Sequence, residues 1–380
     1  MISHQEACAL IESRAEALAD LIARASELRD PRRGKRVTFS KKVFVPLTTL
    51  CRDYCGYCTF RRDPGEPGAH TMTPEEVVAL VQAGARLGAK EALFSLGDKP
   101  EARFPEQREF LRRHGHRTTL GYLRAVCALT LRESTLLPHA NPGVMPERDL
   151  AALREVNVSM GIMLETVSER LLAPGLAHDN APDKVPARRL RTIALAGKLG
   201  IPFTTGILIG IGETPRERVD ALVAIRDLHE RYGHIQEVIV QSFRAKPRIP
   251  MREAPEPDFE DLLATVAVTR LLFGPEMNVQ APPNLSPDVY PRLLAAGLND
   301  WGGISPLTLD HINPEKPWPL IPELRRATEA QGFVFRERLA IYPEFATRAE
   351  FLAESLRPRV ASLIDADGVV KECHEHWRRW

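Results

Sequence analysis

The stretch Val45-Pro-Leu-Thr-Thr-Leu-Cys51-Arg-Asp-Tyr-Cys55-Gly-Tyr-Cys58 decides how the rest of the chain is read. It begins inside a short apolar run, 43–47, of the kind that forms a buried parallel strand. Three cysteines follow in C-x3-C-x2-C spacing, so their thiols share one tight loop at the strand's C-terminal end. Crowded thiolates in a reducing compartment point to a metal or an Fe–S cluster. A cubane held by three cysteines leaves one iron open to a small molecule. The competing readings are three unrelated buried cysteines and a zinc knot with a distant fourth ligand. Both fit less well, because the nearest downstream histidine, His70, is not at zinc-finger spacing.

Working outward, further apolar runs of strand length occur at 92–96, 136–140, 158–164, 203–211, 237–240 and 279–281, each ending in polar, Gly or Pro residues. Helices with readable starts lie between them. In Thr73-Pro-Glu-Glu76 the threonine caps, proline fills the first position and glutamate closes a capping box, and Thr214-Pro-Arg-Glu217 repeats that grammar. Leu190, Ile193, Ala194 and Gly197 stand at helical spacing before Gly200-Ile-Pro202, which stops the helix. Seven or more strand–helix units predict an α/β fold, a full or partial TIM-like (β/α) barrel. Residues 1–35 read as a helical lead-in ended by Asp30-Pro-Arg-Arg-Gly, 36–345 as the barrel, and 346–380 as a tail of one or two amphipathic helices. The Pro-rich stretches 98–106, 281–291 and 304–322 are predicted loops, the places where barrels keep their chemistry.

Composition narrows the function. With 51 Lys+Arg against 50 Asp+Glu the formal charge is +1, so no global field draws the chain to nucleic acid. No apolar stretch approaches membrane-spanning length, and Met1-Ile-Ser-His lacks the pattern of a secretory signal, so a cytoplasmic location is expected. The remaining cysteines, Cys8, Cys127 and Cys373, stand alone, which argues against a disulfide scaffold. Small-molecule chemistry is the default expectation.

The cysteine run, with Tyr57 before its last member, resembles that of radical S-adenosylmethionine (SAM) enzymes. That resemblance implies a 4Fe–4S cluster on Cys51, Cys55 and Cys58, with the amino and carboxylate groups of SAM on the open iron. Gly97-Asp98-Lys99 stands where these enzymes have a Gly-Gly-Glu-type turn facing the SAM ammonium, a positional match only, since Asp98 and Lys99 replace Gly and Glu. Gly206-Ile-Leu208-Ile-Gly210-Ile-Gly212-Glu213 resembles the motif beside the adenine, where glycine lets backbone approach a planar ring. Glu165 is expected to accept hydrogen bonds from the SAM ribose and Arg189 to pair with the SAM carboxylate.

The order of these pieces, with Phe94-Ser-Leu-Gly-Asp-Lys-Pro-Glu101, Phe243-Arg-Ala-Lys-Pro247 and Asn299-Asp-Trp-Gly-Gly-Ile-Ser-Pro306, resembles the CofG subunit family of FO synthase from about residue 38 to 345. This family makes 7,8-didemethyl-8-hydroxy-5-deazariboflavin (FO), the chromophore of coenzyme F-420. The resemblance implies that a partner, CofH, joins tyrosine to 5-amino-6-(D-ribitylamino)uracil. CofG then uses a 5′-deoxyadenosyl radical and an external electron donor to close the third ring with loss of ammonia. On that reading Gln241, Arg244, Lys246, Asn284, Asn299 and Asp300 are candidates to hold the substrate. His311 beside Asp310, or Tyr54 in the cluster loop, is the candidate proton acceptor. The rivals are a CofH-like enzyme, a biotin-, thiamine- or menaquinone-type relative, and a metal-binding regulator without chemistry. The terminal Cys373-His-Glu-His376 group is read as a charged tail rather than a second metal site.

Overall fold

The computed structural model describes residues 1–33 and 35–375. Eight parallel strands, β1 (Arg36–Thr48), β2 (Glu91–Leu96), β3 (Leu137–Asn141), β4 (Ser159–Gly161), β5 (Phe203–Ile209), β6 (Ile235–Ser242), β7 (Val279–Gln280) and β8 (Asp300–Ile304), follow one another around a sheet. β8 pairs with β1 and β1 with β2, which closes the barrel. A ninth strand, β9 (Val334–Arg338), runs parallel to the first residues of β1, in register from Arg36↔Val334 to Ser40↔Arg338. β1 is long enough for both partners. Its second half, from Lys42 to Thr48, pairs with β2, and β9 covers the edge that its first half would otherwise leave open.

The seven expected strands are all present, and β4 is shorter than the apolar run that announced it. β8 and β9 lie outside those runs. β8 carries consecutive glycines, and β9 carries buried charges, with Glu337 and Arg338 fully enclosed. Neither pattern has the apolar signature of a buried strand.

The helices are α1 (His4–Glu12), α2 (Arg14–Arg33), α3 (Pro74–Arg86), α4 (Pro105–Arg113), α5 (Thr119–Glu133), α6 (Glu147–Arg154), α7 (Pro186–Lys198), α8 (Pro215–Tyr232), α9 (Phe259–Phe273), α10 (Ile321–Ala330), α11 (Pro343–Ala346) and α12 (Arg357–Leu363). The boxes at Thr73 and Thr214 both form, with each threonine hydroxyl accepting from the glutamate N–H three residues on. α2 continues through Pro31 and ends at Arg33, within the predicted stop over 30–34. It lies along α9, whose residues from Asp261 to Phe273 are all buried, so a helix apolar on nearly every side is accounted for by its cover.

The segment after β9 differs from the expected amphipathic helices. Its described part is α11, α12, short turns and an Ile364↔Val370 bridge, joined by an apolar cluster that includes Leu339, Ile341, Tyr342, Phe351 and Val360. This cluster packs on Leu137 and Val158 at the N-terminal ends of β3 and β4. Ser159 Oγ and Gln236 Nε2 donate to the Ala340 carbonyl at 2.8 and 3.1 Å, which ties the segment across the bottom of the barrel. His376 lies outside the described residues.

Candidate active site

The barrel encloses a cavity of about 360 Å³ that reaches the C-terminal ends of the strands, and Cys51, Cys55 and Cys58 all line it. All three are free thiols. Their loop is fixed by backbone bonds from Tyr54 N to Asn180 O (3.1 Å) and from Gly56 N to Ala177 O (2.8 Å). Cys51 Sγ accepts the N–H groups of Asp98 (3.2 Å) and Asp53 (3.4 Å), the kind of donation that stabilises a thiolate. Burial pushes the Cys51 thiol up to about 12, so it ionises readily only beside compensating positive charge such as iron. Three thiols lining one cavity, with N–H donors behind one of them, are a donor set that fits a three-cysteine 4Fe–4S cluster.

Gly97 stands where the β2 turn meets the cluster loop. A Cβ there would lie 1.9 Å from the Leu50 carbonyl oxygen, so glycine is required by contact. Asp98 lines the cavity and accepts from Lys99 Nζ (2.7 Å) and Val144 N (3.0 Å). Burial raises its pKa, against the pull of Lys99. Lys99 itself adopts φ 36° and also donates to Val144 O at 2.6 Å, which anchors the turn from behind.

Glu165 occupies a left-handed conformation, φ 68°, at the end of the β4 segment. Its carboxylate accepts from Lys184 Nζ (2.5 Å), from the Tyr57 hydroxyl and from His178 Nε2 (3.2 Å), with Arg189 at 3.7 Å. Burial alone would raise its pKa, but Lys184 and Arg189 outweigh that and hold it well below the usual carboxylate range. Arg189 Nε donates to the Met163 carbonyl (2.7 Å), so its guanidinium is braced against β4. Tyr57, His178 and Lys184 were not named as site residues from the sequence. Only Tyr57 carried a signal, its place before Cys58.

In the glycine-rich segment Leu208 lines the cavity, whereas Gly206 is a packing position, since a Cβ there would sit 2.1 Å from the Ile239 carbonyl oxygen. Gly210 has φ 90°. Glu213 accepts the N–H groups of Gly210 and Ile211, both at 2.8 Å, and Arg218 Nε at 2.6 Å, so it clamps the loop after β5.

Gln241, Arg244, Lys246 and Asp310 line the cavity mouth. Arg244 donates to the Leu285 carbonyl at 2.7 Å, and burial pulls the Lys246 pKa down. Asn284 supports Asp310 with a 3.0 Å bond from Nδ2. Four expected roles meet a different geometry. Asp310 accepts from Asn284, Asn313 and the Ile312 N–H rather than from His311, so the carboxylate does not orient that imidazole. Tyr54 turns away from the cavity, with its hydroxyl on Asp63 (2.5 Å) and its ring between Arg61 and Arg103. Asn299 directly precedes β8 at the N-terminal end of the barrel, where Oδ1 accepts from Arg270 (2.6 Å) and Val279 N (2.9 Å). Asp300 is fully buried and engaged by Arg338 at 2.7 and 2.8 Å. Both lie at the start of a strand, whereas ligands meet the strand ends.

Residues 45–225 match the radical SAM superfamily, whose members use a 4Fe–4S cluster and SAM. The chain is 51% identical over 335 residues to the 7,8-didemethyl-8-hydroxy-5-deazariboflavin synthase of Methanopyrus kandleri, covering 88% of this chain and 100% of that protein. It is 50% identical over 371 residues to the FO synthase of Streptomyces avermitilis, covering 95% of this chain and 43% of that protein. It therefore spans less than half of that longer relative. Among solved structures, the FeFe-hydrogenase maturase HydG of Carboxydothermus hydrogenoformans superimposes with a TM-score of 0.71 at 20% identity, over 92% of this chain and 78% of the maturase, a likeness of fold. With a full-length match to the Methanopyrus protein, the chain belongs to the radical SAM family of 7,8-didemethyl-8-hydroxy-5-deazariboflavin synthases.

Proposed function

We propose that this chain closes the deazaflavin ring of FO from the adduct of tyrosine and 5-amino-6-(D-ribitylamino)uracil, with loss of ammonia. One observation carries the reading. The three thiols open onto a cavity of about 360 Å³ inside the closed barrel, so a substrate that enters it lies beside the cluster site. When bound and reduced, the cluster and SAM supply a 5′-deoxyadenosyl radical that removes one hydrogen from the substrate.

The chain's own residues then have distinct tasks. Asp98 and the turn around Gly97 face the SAM ammonium, and Glu165 takes the ribose hydroxyls. Arg189, braced by Met163 and close to Glu165, is a positioning residue for that carboxylate. Lys246, buried at the mouth, is placed to donate from Nζ to a substrate oxygen. Gln241 and the Ser242 hydroxyl, which has no partner among the described residues, meet the uracil at the mouth. The adduct comes from a CofH-type partner, an external donor reduces the cluster, and a reducing cytoplasm suits the free thiols.

The test is an anaerobic assay of the reconstituted chain with SAM, dithionite and the adduct, following 5′-deoxyadenosine and deazaflavin fluorescence together. Both signals are expected, and both vanish in Cys55→Ala. Deoxyadenosine without deazaflavin overturns the substrate, and neither product from a cluster-loaded, SAM-bound protein overturns the catalytic reading.

A further inference from the structure

Below the cluster the cavity changes character. Lys42 on β1 and Glu91 on β2 are Cα partners and form a buried ion pair at 2.8 Å. From Lys42 to Thr48 the strand rises about 20 Å, so this pair lies deep beneath the mouth. His139 on β3 and Gln280 on β7 line the same floor. Consecutive glycines on β8 make room for two of these side chains. A Cβ on Gly303 would lie 1.8 Å from Lys42 Cε, and one on Gly302 would lie 2.1 Å from Gln280 Nε2. Barrel interiors are ordinarily filled by branched apolar layers, and here β8 withholds side chains so that a lysine and an amide can enter.

The floor has unused bonding capacity. Gln280, only 4% exposed, has no hydrogen-bond partner for Oε1 among the described residues. A buried acceptor left so costs about 1–3 kcal/mol. Among the described residues Lys42 Nζ has one hydrogen-bond partner, Glu91 Oε1. Ser159 Oγ donates to Ala340 O and so accepts from His139 Nδ1 at 2.7 Å, which leaves His139 Nε2 as an acceptor. Burial holds this imidazole neutral, with its pKa lowered to about 4. The neighbouring Arg338, Asp300 and Glu237 are by contrast bonded to one another or to Tyr342.

We infer that this floor is the binding site for the hydroxyl-bearing ribityl chain of the substrate, with Lys42 donating and Gln280 Oε1, His139 Nε2 and Glu91 accepting. The inference rests on the proposed deazaflavin reading. Hydroxyls both donate and accept, which matches a floor that mixes one cation with several acceptors. An anionic tail would meet Glu91, and an apolar tail would leave Gln280 Oε1 unpaired and add nothing to the single bond of Lys42 Nζ. The reacting rings must lie at the mouth beside the cluster, so the part of the molecule that does not react is the part that descends.

Binding of the fluorescent product tests this without radical chemistry. The full chain is titrated with FO and with an analogue carrying methyl in place of ribityl. The same titrations are made on Gln280→Leu and on Lys42→Met combined with Glu91→Gln, each checked for folding by circular dichroism. Wild type is expected to bind FO about 100-fold more tightly than the methyl analogue. Each variant loses about tenfold for FO and nothing for the analogue. Equal affinity of wild type for the two ligands, or equal losses for both in Gln280→Leu, overturns the polyol site while leaving the deazaflavin reading intact. Binding of neither ligand to wild type sinks both. Should the double variant fail to fold, Gln280→Leu decides alone.

Discussion

Glu165 holds a left-handed backbone conformation and one carboxylate on which Lys184, His178 and Tyr57 converge. Removing its charge would leave Lys184 and Arg189 buried without it, a loss of about 3–5 kcal/mol. Glu165→Gln should therefore melt at a markedly lower temperature and bind SAM more weakly, read by calorimetry and by equilibrium dialysis. His234 gives a sharper test by pH. It is fully buried, its Nε2 bonds to the Ile193 carbonyl at 2.9 Å, and burial pushes its pKa down to about 3. Between its unfolded value and that depressed one, only the unfolded chain takes up the proton, so acidification favours unfolding. On lowering the pH from 7.5 to 5, wild type should lose about 2 kcal/mol relative to His234→Gln. Urea melts at the two pH values measure the gap, and a gap independent of pH would refute the assignment.

At the scale of elements, local grammar and close contact set different limits. The capping box at Thr214 starts α8 directly behind the glycine-rich loop, and Thr214→Ala should cost about 1 kcal/mol of stability in denaturant melts. Gly206→Ala is more severe, because its Cβ would meet the Ile239 carbonyl and part β5 from β6. About 1–3 kcal/mol of destabilisation follows from the overpacking, visible as faster hydrogen exchange in β5 and β6. Seven strands were legible because buried parallel strands read as apolar runs. β8 and β9 were not, because the glycines of β8 are set by Lys42 and Gln280 on the strands either side of it, and the charges of β9 by partners such as Asp300 and Lys90.

At the scale of the molecule, the barrel is incomplete without the segment after β9. Leu339, Ile341, Tyr342, Phe345, Phe351 and Val360 are buried in it, and each contributes about 1.5–3 kcal/mol by burial. Their sum is comparable with the whole stability of a domain. A chain ended after Arg338 should show no cooperative thermal transition, and a sharp melt with native near-UV circular dichroism would contradict that. No helix among the described residues is long and apolar enough to cross a membrane.

The sequence by itself determined the alternation of strands and helices, the cluster loop on Cys51, Cys55 and Cys58, and the turns at Gly97 and Gly210. These signals are local, since each depends on residues a few positions apart. Which polar side chains share the cavity was decided by the closed barrel alone. Tyr57 faces inward and Tyr54 outward although three positions separate them, and Asp310 turns to Asn284 instead of its neighbour His311. Asn299 and Asp300 sit at the wrong end of β8 for a ligand at the mouth, while Lys42 and Gln280 reach the floor past two glycines of the strand between their own. Strand direction and register fix these outcomes, and neither is written in any short stretch of the chain.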